Sequence, residues 1–186
     1  MRITGGEARG VRLYAPRSVR VRPTSDRVRG ALFQLLGNAV PNAHVLDLYA
    51  GTGALGIEAL SRGAAGADFV EQNTRLCETV DSNLEHTGFT HRAKVYRMRV
   101  EQALPVLEGP YQLVLADPPY DLTNINHMIE LLSRPGLVDA AGLVVIEHSS
   151  RVAVPETCGA LQRRDQRRYG DTELSIYGPI NSKEGT

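Results

Sequence analysis

Two short stretches of the chain hold the residue types best suited to chemistry. Residues 45–56 read VLDLYAGTGALG and residues 113–120 read LVLADPPY. Glycines in the first stretch let the backbone approach a ligand closely, at points where a Cβ would clash. Two adjacent prolines in the second stretch fix φ and leave no N–H to donate, so that turn is stiff and rich in acceptors. Together they predict a nucleoside-binding loop and a separate turn that can hold an amino group.

The glycine loop follows a short apolar run and precedes a helical one, as in the first half of a βαβ unit. Its GxGxxG spacing also matches the dinucleotide fingerprint, which by itself is a weak signal. Asp47, four residues before Gly51, favours S-adenosylmethionine. A carboxylate there would repel a pyrophosphate, whereas it suits a sulfonium and an ammonium group. Asp47 could also brace the loop by accepting backbone N–H bonds, and the two roles are compatible.

Glu71 ends the next apolar run and lies 18 residues after Gly53. An acidic residue at roughly 20 residues after such a loop meets the hydroxyl pair of a ribose. NAD and S-adenosylmethionine both carry that ribose. Glu71 therefore supports nucleoside binding without choosing between the two cofactors.

The proline turn offers acceptors for an exocyclic amine. An Asp117 oxygen and the Pro118 carbonyl could hold its two hydrogens, and the lone pair could then be aimed at a methyl group. Tyr120 offers a face on which a flipped base could stack. The alternative is a rigid turn between a strand and a helix, with a core aromatic. The predicted catalytic residues are Asp117, Pro118, Pro119 and Tyr120.

Composition limits the class of protein. A chain of 186 residues is long enough for one α/β domain. Its formal net charge is zero, but residues 1–29 contain eight arginines and two acidic residues, which gives that arm a charge of +6. Such an arm indicates a polyanionic partner. Two cysteines are too few for a disulfide framework, so a reducing cytoplasm is expected, and no apolar run suggests a signal peptide or a membrane span.

Periodicity and turn residues predict the elements around these stretches. The arm should form a small hairpin from 2–6 and 11–14, followed by a helix from about residue 24 that ends at Gly37. A short helix is expected over 100–107. Near the carboxyl end, 162–169 and 172–177 flank Gly170-Asp171, which predicts a second hairpin.

The two chemical stretches together resemble the amino-methyltransferase branch of the Rossmann-like methyltransferases. The arm, MRITGGEARGVRL…RPTSDRVRGALFQLL, narrows the resemblance to the RsmD-type enzymes, the bacterial 16S rRNA guanine-N2 methyltransferases. VEQN and RRYGDTELSIY extend it over nearly the whole chain. The resemblance implies an α/β fold with a seven-stranded, mostly parallel sheet, one antiparallel strand, helices on both faces and a small basic hairpin and helix at the amino end.

The same resemblance implies methyl transfer from S-adenosylmethionine, without a metal, to N2 of a guanine in the helix-31 loop of 16S rRNA. The substrate would be that rRNA within a small subunit or an assembly intermediate, and the enzyme a monomer that does not bind membranes. It implies an RNA-binding arm over 1–38, a methyltransferase domain over 39–180 and a loose tail over 181–186. The implied cofactor residues are Asp47, Tyr49, Gly51, Thr52, Gly53, Glu71, Gln72, Val100 and Asp117, and the implied RNA contacts are Arg2, Arg9, Arg12, Arg22, Thr24 and Arg27.

One position departs from the methyltransferase pattern. Many of these enzymes place an aspartate before the helix predicted at 100–107, where it binds the adenine, but this chain has Arg99. A backbone N–H, Glu101 or Gln102 is the expected substitute.

Three rival functions remain. The first is a methyltransferase for adenine N6 or protein glutamine, but those enzymes more often carry Asn-Pro-Pro-Tyr. The second is a nicotinamide oxidoreductase, which Asp47 disfavours. The third is a non-catalytic RNA-binding assembly factor, which only an activity assay can exclude.

Overall fold

The computed structural model describes residues 1–16, 26–119 and 125–180 of the chain. Three residues of the predicted sites, Arg22, Thr24 and Tyr120, lie outside this part, and so does the predicted tail over 181–186. The helices are α1 (Asp26–Leu36), α2 (Ala54–Ser61), α3 (Thr74–Thr87), α4 (Val100–Ala103) and α5 (Ile125–Leu132). The strands are β1 (His44–Leu48), β2 (Gly66–Glu71), β3 (Ala93–Arg97), β4 (Tyr111–Ala116), β5 (Val138–Ser149), β6 (Thr157–Cys158), β7 (Leu161–Tyr169) and β8 (Thr172–Pro179).

The described strands form one sheet in the order β3-β2-β1-β4-β5-β8-β7-β6. Strands β1 to β5 are parallel, and β8 runs antiparallel to both β5 and β7. The expected α/β architecture is confirmed, but the predicted count of seven strands with one antiparallel is wrong. The described part has eight strands, and both β6 and β8 run against the others. Because β6 has two residues, it is too short to show the alternation that reveals a strand in sequence.

The hairpin at the carboxyl end agrees with its prediction. Strands β7 and β8 pair antiparallel, with Tyr169 opposite Thr172. Between them, Gly170 has a φ of 66°, a value that glycine adopts without a steric penalty. This hairpin extends the parallel part of the sheet beyond β5.

The predicted hairpin of the arm is also present. Arg2 and Arg12 form an antiparallel bridge, and the Ile3 N–H donates to the Val11 carbonyl at 3.0 Å. Ile3 and Leu13 turn inward and are buried, whereas the side chains of Arg2, Arg9 and Arg12 are exposed. The arm therefore joins the protein through apolar residues and displays cations on its outer surface.

Helix α1 packs differently from its prediction. The helical period of its sequence predicts an apolar stripe of Val28, Leu32, Leu35 and Leu36, but Leu35 is 39% exposed. Arg29 and Phe33 are buried in its place. The helix does end at Leu36, and Gly37 follows with a φ of 44°. The predicted helix over 100–107 is also shorter than expected, because α4 ends at Ala103.

The core lies on both faces of the sheet. One cluster packs the arm, α1, α2 and α3 against one face, and a second cluster packs α4 and α5 against the other. The longest helix of the described part, α3, has 14 residues. Across the described ranges, no helix is long and apolar enough to cross a bilayer.

The strand order reverses between β1 and β4. These neighbours pair in parallel, with Leu48 opposite Ala116 at their carboxyl ends. In open α/β sheets, ligands bind outside the carboxyl ends of the strands at such a switch point. The glycine loop follows β1 and the proline turn follows β4, so the fold places both chemical stretches at this point.

Candidate active site

The glycine loop after β1 is tightly closed. Gly51 and Gly53 have φ values of 57° and 78°, which a residue with a Cβ rarely adopts. The Gly53 N–H donates to the Ala50 carbonyl at 2.7 Å. A Cβ on Gly53 would lie 3.1 Å from Val80 Cγ1 and 3.2 Å from Ile57 Cδ1. Backbone conformation and close packing therefore both require glycine here.

Asp47 braces this loop, which is one of the two roles considered for it. Its side chain is buried, and Oδ2 accepts the Gly56 N–H at 2.8 Å in the first turn of α2. A Cβ on Gly56 would lie 2.3 Å from Phe69 Cε1 and 3.1 Å from that same Oδ2. The third glycine of the motif thus lets α2 approach β2 and the Asp47 carboxylate.

Glu71 holds the loop from the neighbouring strand. Its Oε2 accepts the Gly51 N–H at 3.0 Å, and its Oε1 accepts the Asn73 N–H at 2.8 Å. Each carboxylate oxygen can accept a further hydrogen bond. Glu71 can therefore fix the loop and still accept bonds from a ligand hydroxyl.

The charge at the switch point is negative. Burial raises the pKa of Asp47 well above its usual range, the Gly56 N–H opposes that rise, and the charges of Asp117 and Glu71 reinforce it. A cationic ligand would relieve this repulsion. The electrostatics therefore suit a sulfonium or an ammonium group and disfavour a pyrophosphate.

The substitution Asp47→Asn is expected to stabilise the ligand-free protein at neutral pH. The raised pKa means that ionising Asp47 costs folding free energy, a penalty that is absent below about pH 4 and grows as pH rises toward the folded-state pKa. An asparagine oxygen can still accept the Gly56 N–H. Urea unfolding should give a higher midpoint for the variant at pH 7 and similar midpoints near pH 3. A lower midpoint at pH 7 would contradict the assigned burial cost.

The proline turn begins directly after β4. Asp117 is half-buried, Pro118 is buried and Pro119 is exposed. Because Ala116 lies opposite Leu48, Asp117 stands beside the first residue of the glycine loop, Tyr49. The structure therefore brings the first three predicted catalytic residues next to the predicted cofactor loop.

The remaining predicted cofactor residues differ in exposure. Tyr49 has a φ of 57°; burial raises its pKa, and the nearby Glu101 carboxylate adds to the effect. Thr52 and Val100 are buried, whereas Gln72 is exposed. All four lie on segments that follow β1, β2 or β3, at the carboxyl edge of the sheet.

The departure at Arg99 is visible in the structure. Arg99 is exposed immediately before α4, and its backbone N–H donates to Gln102 Oε1 at 3.4 Å. The Gln102 side chain therefore caps its own helix. The substitutes for the adenine contact that stay open are the backbone N–H groups at the start of α4 and the Glu101 side chain.

Asn83 is a site residue that sequence reasoning missed. It is fully buried on α3, and its Nδ2 donates to the Thr52 carbonyl of the glycine loop at 2.9 Å. A signal was present, because Asn83 lies seven residues after Leu76 and three after Val80, within the apolar stripe of that helix. A polar residue at such a position is buried at a cost unless it has partners.

His148, near the end of β5, has a structural role. It is buried between strands, with Nε2 2.8 Å from Ser175 Oγ. Within the described ranges, no group of three or more His, Cys, Asp or Glu side chains is placed to hold a metal ion.

The sheet order and the paired loops after β1 and β4 define the class of Rossmann-like methyltransferases. A solved structure from Salinibacter ruber, an RNA methyltransferase in complex with S-adenosyl-L-homocysteine, shares this fold. It has a TM-score of 0.66 at 15% identity and covers 88% of this chain and 97% of its own. The chain belongs to the family described as "Conserved hypothetical protein 95", whose profile matches residues 1–178.

Individual relatives agree with this assignment. "Ribosomal RNA small subunit methyltransferase D" of Escherichia coli K12 is 36% identical over 177 residues, which is 95% of this chain and 89% of that protein. A solved structure titled "Putative methyltransferase yhhF from Escherichia coli" has a TM-score of 0.87 at 31% identity, and covers 96% of this chain and 97% of its own. The RsmD-type resemblance that the sequence motifs carried is thereby confirmed.

Proposed function

We propose that this chain transfers a methyl group from S-adenosylmethionine to the exocyclic N2 of a guanine in the helix-31 loop of 16S rRNA. One observation carries the proposal: Asp117-Pro118 leaves β4 beside the point where the glycine loop leaves β1, with Leu48 and Ala116 paired. An amine held by the turn would lie next to a ligand held by the loop. The name of the Escherichia coli relative supports small-subunit rRNA as the substrate.

The residues present fit S-adenosylmethionine on two grounds. Asp47 and Glu71 hold the backbone of the glycine loop at the carboxyl edge of the sheet, and three carboxylates give the site the charge that a cation needs. Glu71 would accept from the ribose hydroxyls, and Asp47 would offset the positive charge through the loop it braces. The proposed contacts are Asp47, Tyr49, Gly51, Thr52, Gly53, Glu71, Gln72, Val100 and Asp117.

The bound cofactor would supply an electrophilic methyl group on a sulfonium. The chain supplies position and a proton acceptor. The Asp117 carboxylate and the Pro118 carbonyl each accept a hydrogen bond from one N–H of the guanine amine. These two hydrogen bonds hold the amine nitrogen in line with the methyl group for displacement. As the amine becomes acidic during transfer, its proton passes to Asp117. Pro118 is buried, its ring fixes its φ, and Pro119 after it restricts its ψ, so its carbonyl keeps its direction. Tyr120 would stack on the base.

The proposed RNA grip is the exposed cationic surface of the arm. Arg2, Arg9 and Arg12 project from the hairpin, and Arg27 is exposed on α1. These arginines would neutralise phosphates, together with Arg22, and the Thr24 hydroxyl would donate a hydrogen bond to the RNA. We assign this role to residues 1–38 and the chemistry to 39–180, in a monomer that acts on 16S rRNA within a subunit or assembly intermediate.

Substituting Arg9→Ala and Arg12→Ala together should weaken rRNA binding and flatten its salt dependence. Each lost phosphate contact lowers the slope of log K against log salt by about 1. The change in slope is therefore expected to be about 2, measured by filter binding between 50 and 200 mM salt. Arg134→Ala is the matched control, since Arg134 is an exposed arginine beyond α5 on the opposite side of the sheet from the arm. Equal slopes for both variants would remove the arm from the RNA interface.

The activity itself is tested by transfer of labelled methyl from S-adenosylmethionine. Small ribosomal subunits lacking the modification, naked 16S rRNA and duplex DNA are offered in parallel, and the products are digested to nucleosides. N2-methylguanosine from rRNA or subunits is the expected product. Label in adenine would favour an N6-adenine enzyme instead, and bound cofactor with no transfer to any substrate would favour an assembly factor.

A further inference from the structure

The Asn83 amide connects the arm to the glycine loop. Its Oδ1 accepts the Tyr14 N–H at 2.7 Å, and its Nδ2 donates to the Tyr14 carbonyl at 3.1 Å. The same Nδ2 donates to the Thr52 carbonyl at 2.9 Å. A single side chain thus binds both backbone groups of one arm residue, as a neighbouring strand would, and reaches the loop with its remaining donor.

A second contact joins the arm and the loop at the same place. The Thr52 hydroxyl lies 4.0 Å from Met1 Sδ, and the Met1 carbonyl accepts the Leu13 N–H at 3.2 Å. Met1, at one end of the hairpin, therefore contacts Thr52 directly, and Tyr14, at the other end, is linked to Thr52 through Asn83. Thr52 lies between Gly51 and Gly53, the two glycines with positive φ. A displacement of the hairpin would therefore reach the loop between these two glycines.

Other bonds hold the arm without contacting the loop residues. The Ala8 N–H donates to Ser61 Oγ at 2.9 Å, and the Thr4 N–H donates to Glu58 Oε2 at 2.8 Å. Both acceptors lie in the last turn of α2, away from the glycines at its start. These bonds anchor the hairpin to α2, whereas Asn83 connects the hairpin to the glycine loop.

We propose that Asn83 is a positioning residue that couples rRNA binding by the arm to S-adenosylmethionine binding by the glycine loop. This inference rests on the proposed function. RNA on Arg2, Arg9 and Arg12 would hold the hairpin in the position seen here, and Asn83 would then hold the Thr52 carbonyl in the conformation that receives the cofactor. By linkage, the cofactor must tighten rRNA binding by the same factor that rRNA tightens cofactor binding. Typical couplings between sites begin at about fivefold.

The test measures the dissociation constant of labelled S-adenosylhomocysteine with and without saturating small ribosomal subunits. The ratio of the two values is the coupling factor. Asn83→Asp keeps the oxygen that accepts the Tyr14 N–H but removes both donated bonds. Because a buried carboxylate can prevent folding, a second pair of variants acts at the exposed end of the link. Tyr14→Pro removes the N–H that Asn83 accepts, and Tyr14→Ala removes the ring, which is 56% exposed, while keeping that N–H.

The wild-type protein and Tyr14→Ala should show a factor of about five or more, and Asn83→Asp and Tyr14→Pro a factor near one. Ser82→Ala is a further control, since that hydroxyl bonds to the Glu78 carbonyl of its own helix. A merely structural role would lower the unfolding midpoint and leave the factor unchanged. A coupling factor of one in the wild-type protein, with subunit and S-adenosylhomocysteine both bound, would overturn the coupling alone. So would a wild-type coupling factor in both Asn83→Asp and Tyr14→Pro. A protein that binds S-adenosylhomocysteine but no subunit would overturn the proposed function and the coupling with it.

Discussion

Replacing Asp117 with alanine should abolish methyl transfer while leaving the binding of S-adenosylhomocysteine nearly normal. The substitution removes the carboxylate that would hold the guanine amine and take its proton, whereas the glycine loop keeps its bonds to Asp47 and Glu71. Misplacing a reacting group by about 1 Å can cost 10²-fold in rate, so a loss of at least about a hundredfold in turnover is expected. Single-turnover transfer to small subunits and calorimetric titration of S-adenosylhomocysteine measure the two effects.

Two matched variants separate the roles of this carboxylate. Asp117→Asn keeps an acceptor oxygen but cannot take a proton as a carboxylate does, so it should retain part of the activity if holding the amine is the larger contribution. Asp81→Ala removes an exposed aspartate from α3 and should behave as the wild type. Normal turnover in Asp117→Ala would withdraw the proposed assignment of the proline turn. Loss of cofactor binding in the same variant would instead show that the Asp117 charge contributes to holding the cationic cofactor.

The parts of the fold that sequence predicted are those set by local backbone chemistry. The glycine loop was predicted between a strand and a helix, and it lies between β1 and α2. The hairpin around Gly170 needed a glycine turn between alternating strands, and it is present between β7 and β8. In each case, a short run of residues restricts its own conformation. The neighbouring position of β1 and β4 is instead a property of the whole sheet order, which no single short run of residues determines.

The parts that sequence missed depend on partners far apart in the chain. Arg29 counts toward the +6 charge of the arm, yet its side chain is fully buried against Glu58, 29 residues later. Asn83 bonds to Tyr14, 69 residues earlier. A composition count treats every arginine as available to a phosphate, whereas burial depends on tertiary packing. The arm therefore presents less positive charge to RNA than its sequence suggests.

Asp47 shows how one residue can satisfy two interpretations. Its bond to the Gly56 N–H establishes the bracing role, and its place among three carboxylates supports the cofactor role that stays a proposal. A buried charge without a cation destabilises the folded protein. The expected gain in stability of Asp47→Asn is thus the counterpart of an expected loss in cofactor affinity.

The substitution Glu58→Ala should destabilise the protein by about 3–5 kcal/mol, the usual cost of removing one partner from a buried ion pair. Glu58 is fully buried and accepts bonds from Arg29 Nε at 3.3 Å, Arg62 Nε at 2.8 Å and the Thr4 hydroxyl at 2.7 Å. Without it, the buried Arg29 guanidinium keeps an ion pair with Asp26, whose side chain is 52% exposed. Urea unfolding monitored by circular dichroism measures the loss of unfolding free energy. Glu85→Ala is the control, because Glu85 is exposed.

The double variant Arg29→Met with Glu58→Leu tests whether the stability lost in Glu58→Ala comes from an unpaired buried charge or from lost packing. Apolar replacements of a buried ion pair are often neutral, because neither charge has to be desolvated. The double variant should therefore be more stable than Glu58→Ala, although the Thr4 N–H loses its acceptor in both. Arg62, with a quarter of its side chain exposed, can turn toward water in either case. A double variant no more stable than Glu58→Ala would show that Glu58 acts mainly as the hydrogen-bond acceptor for the arm. The position of the hairpin would then depend on this one carboxylate. So would the link from Tyr14 to the glycine loop.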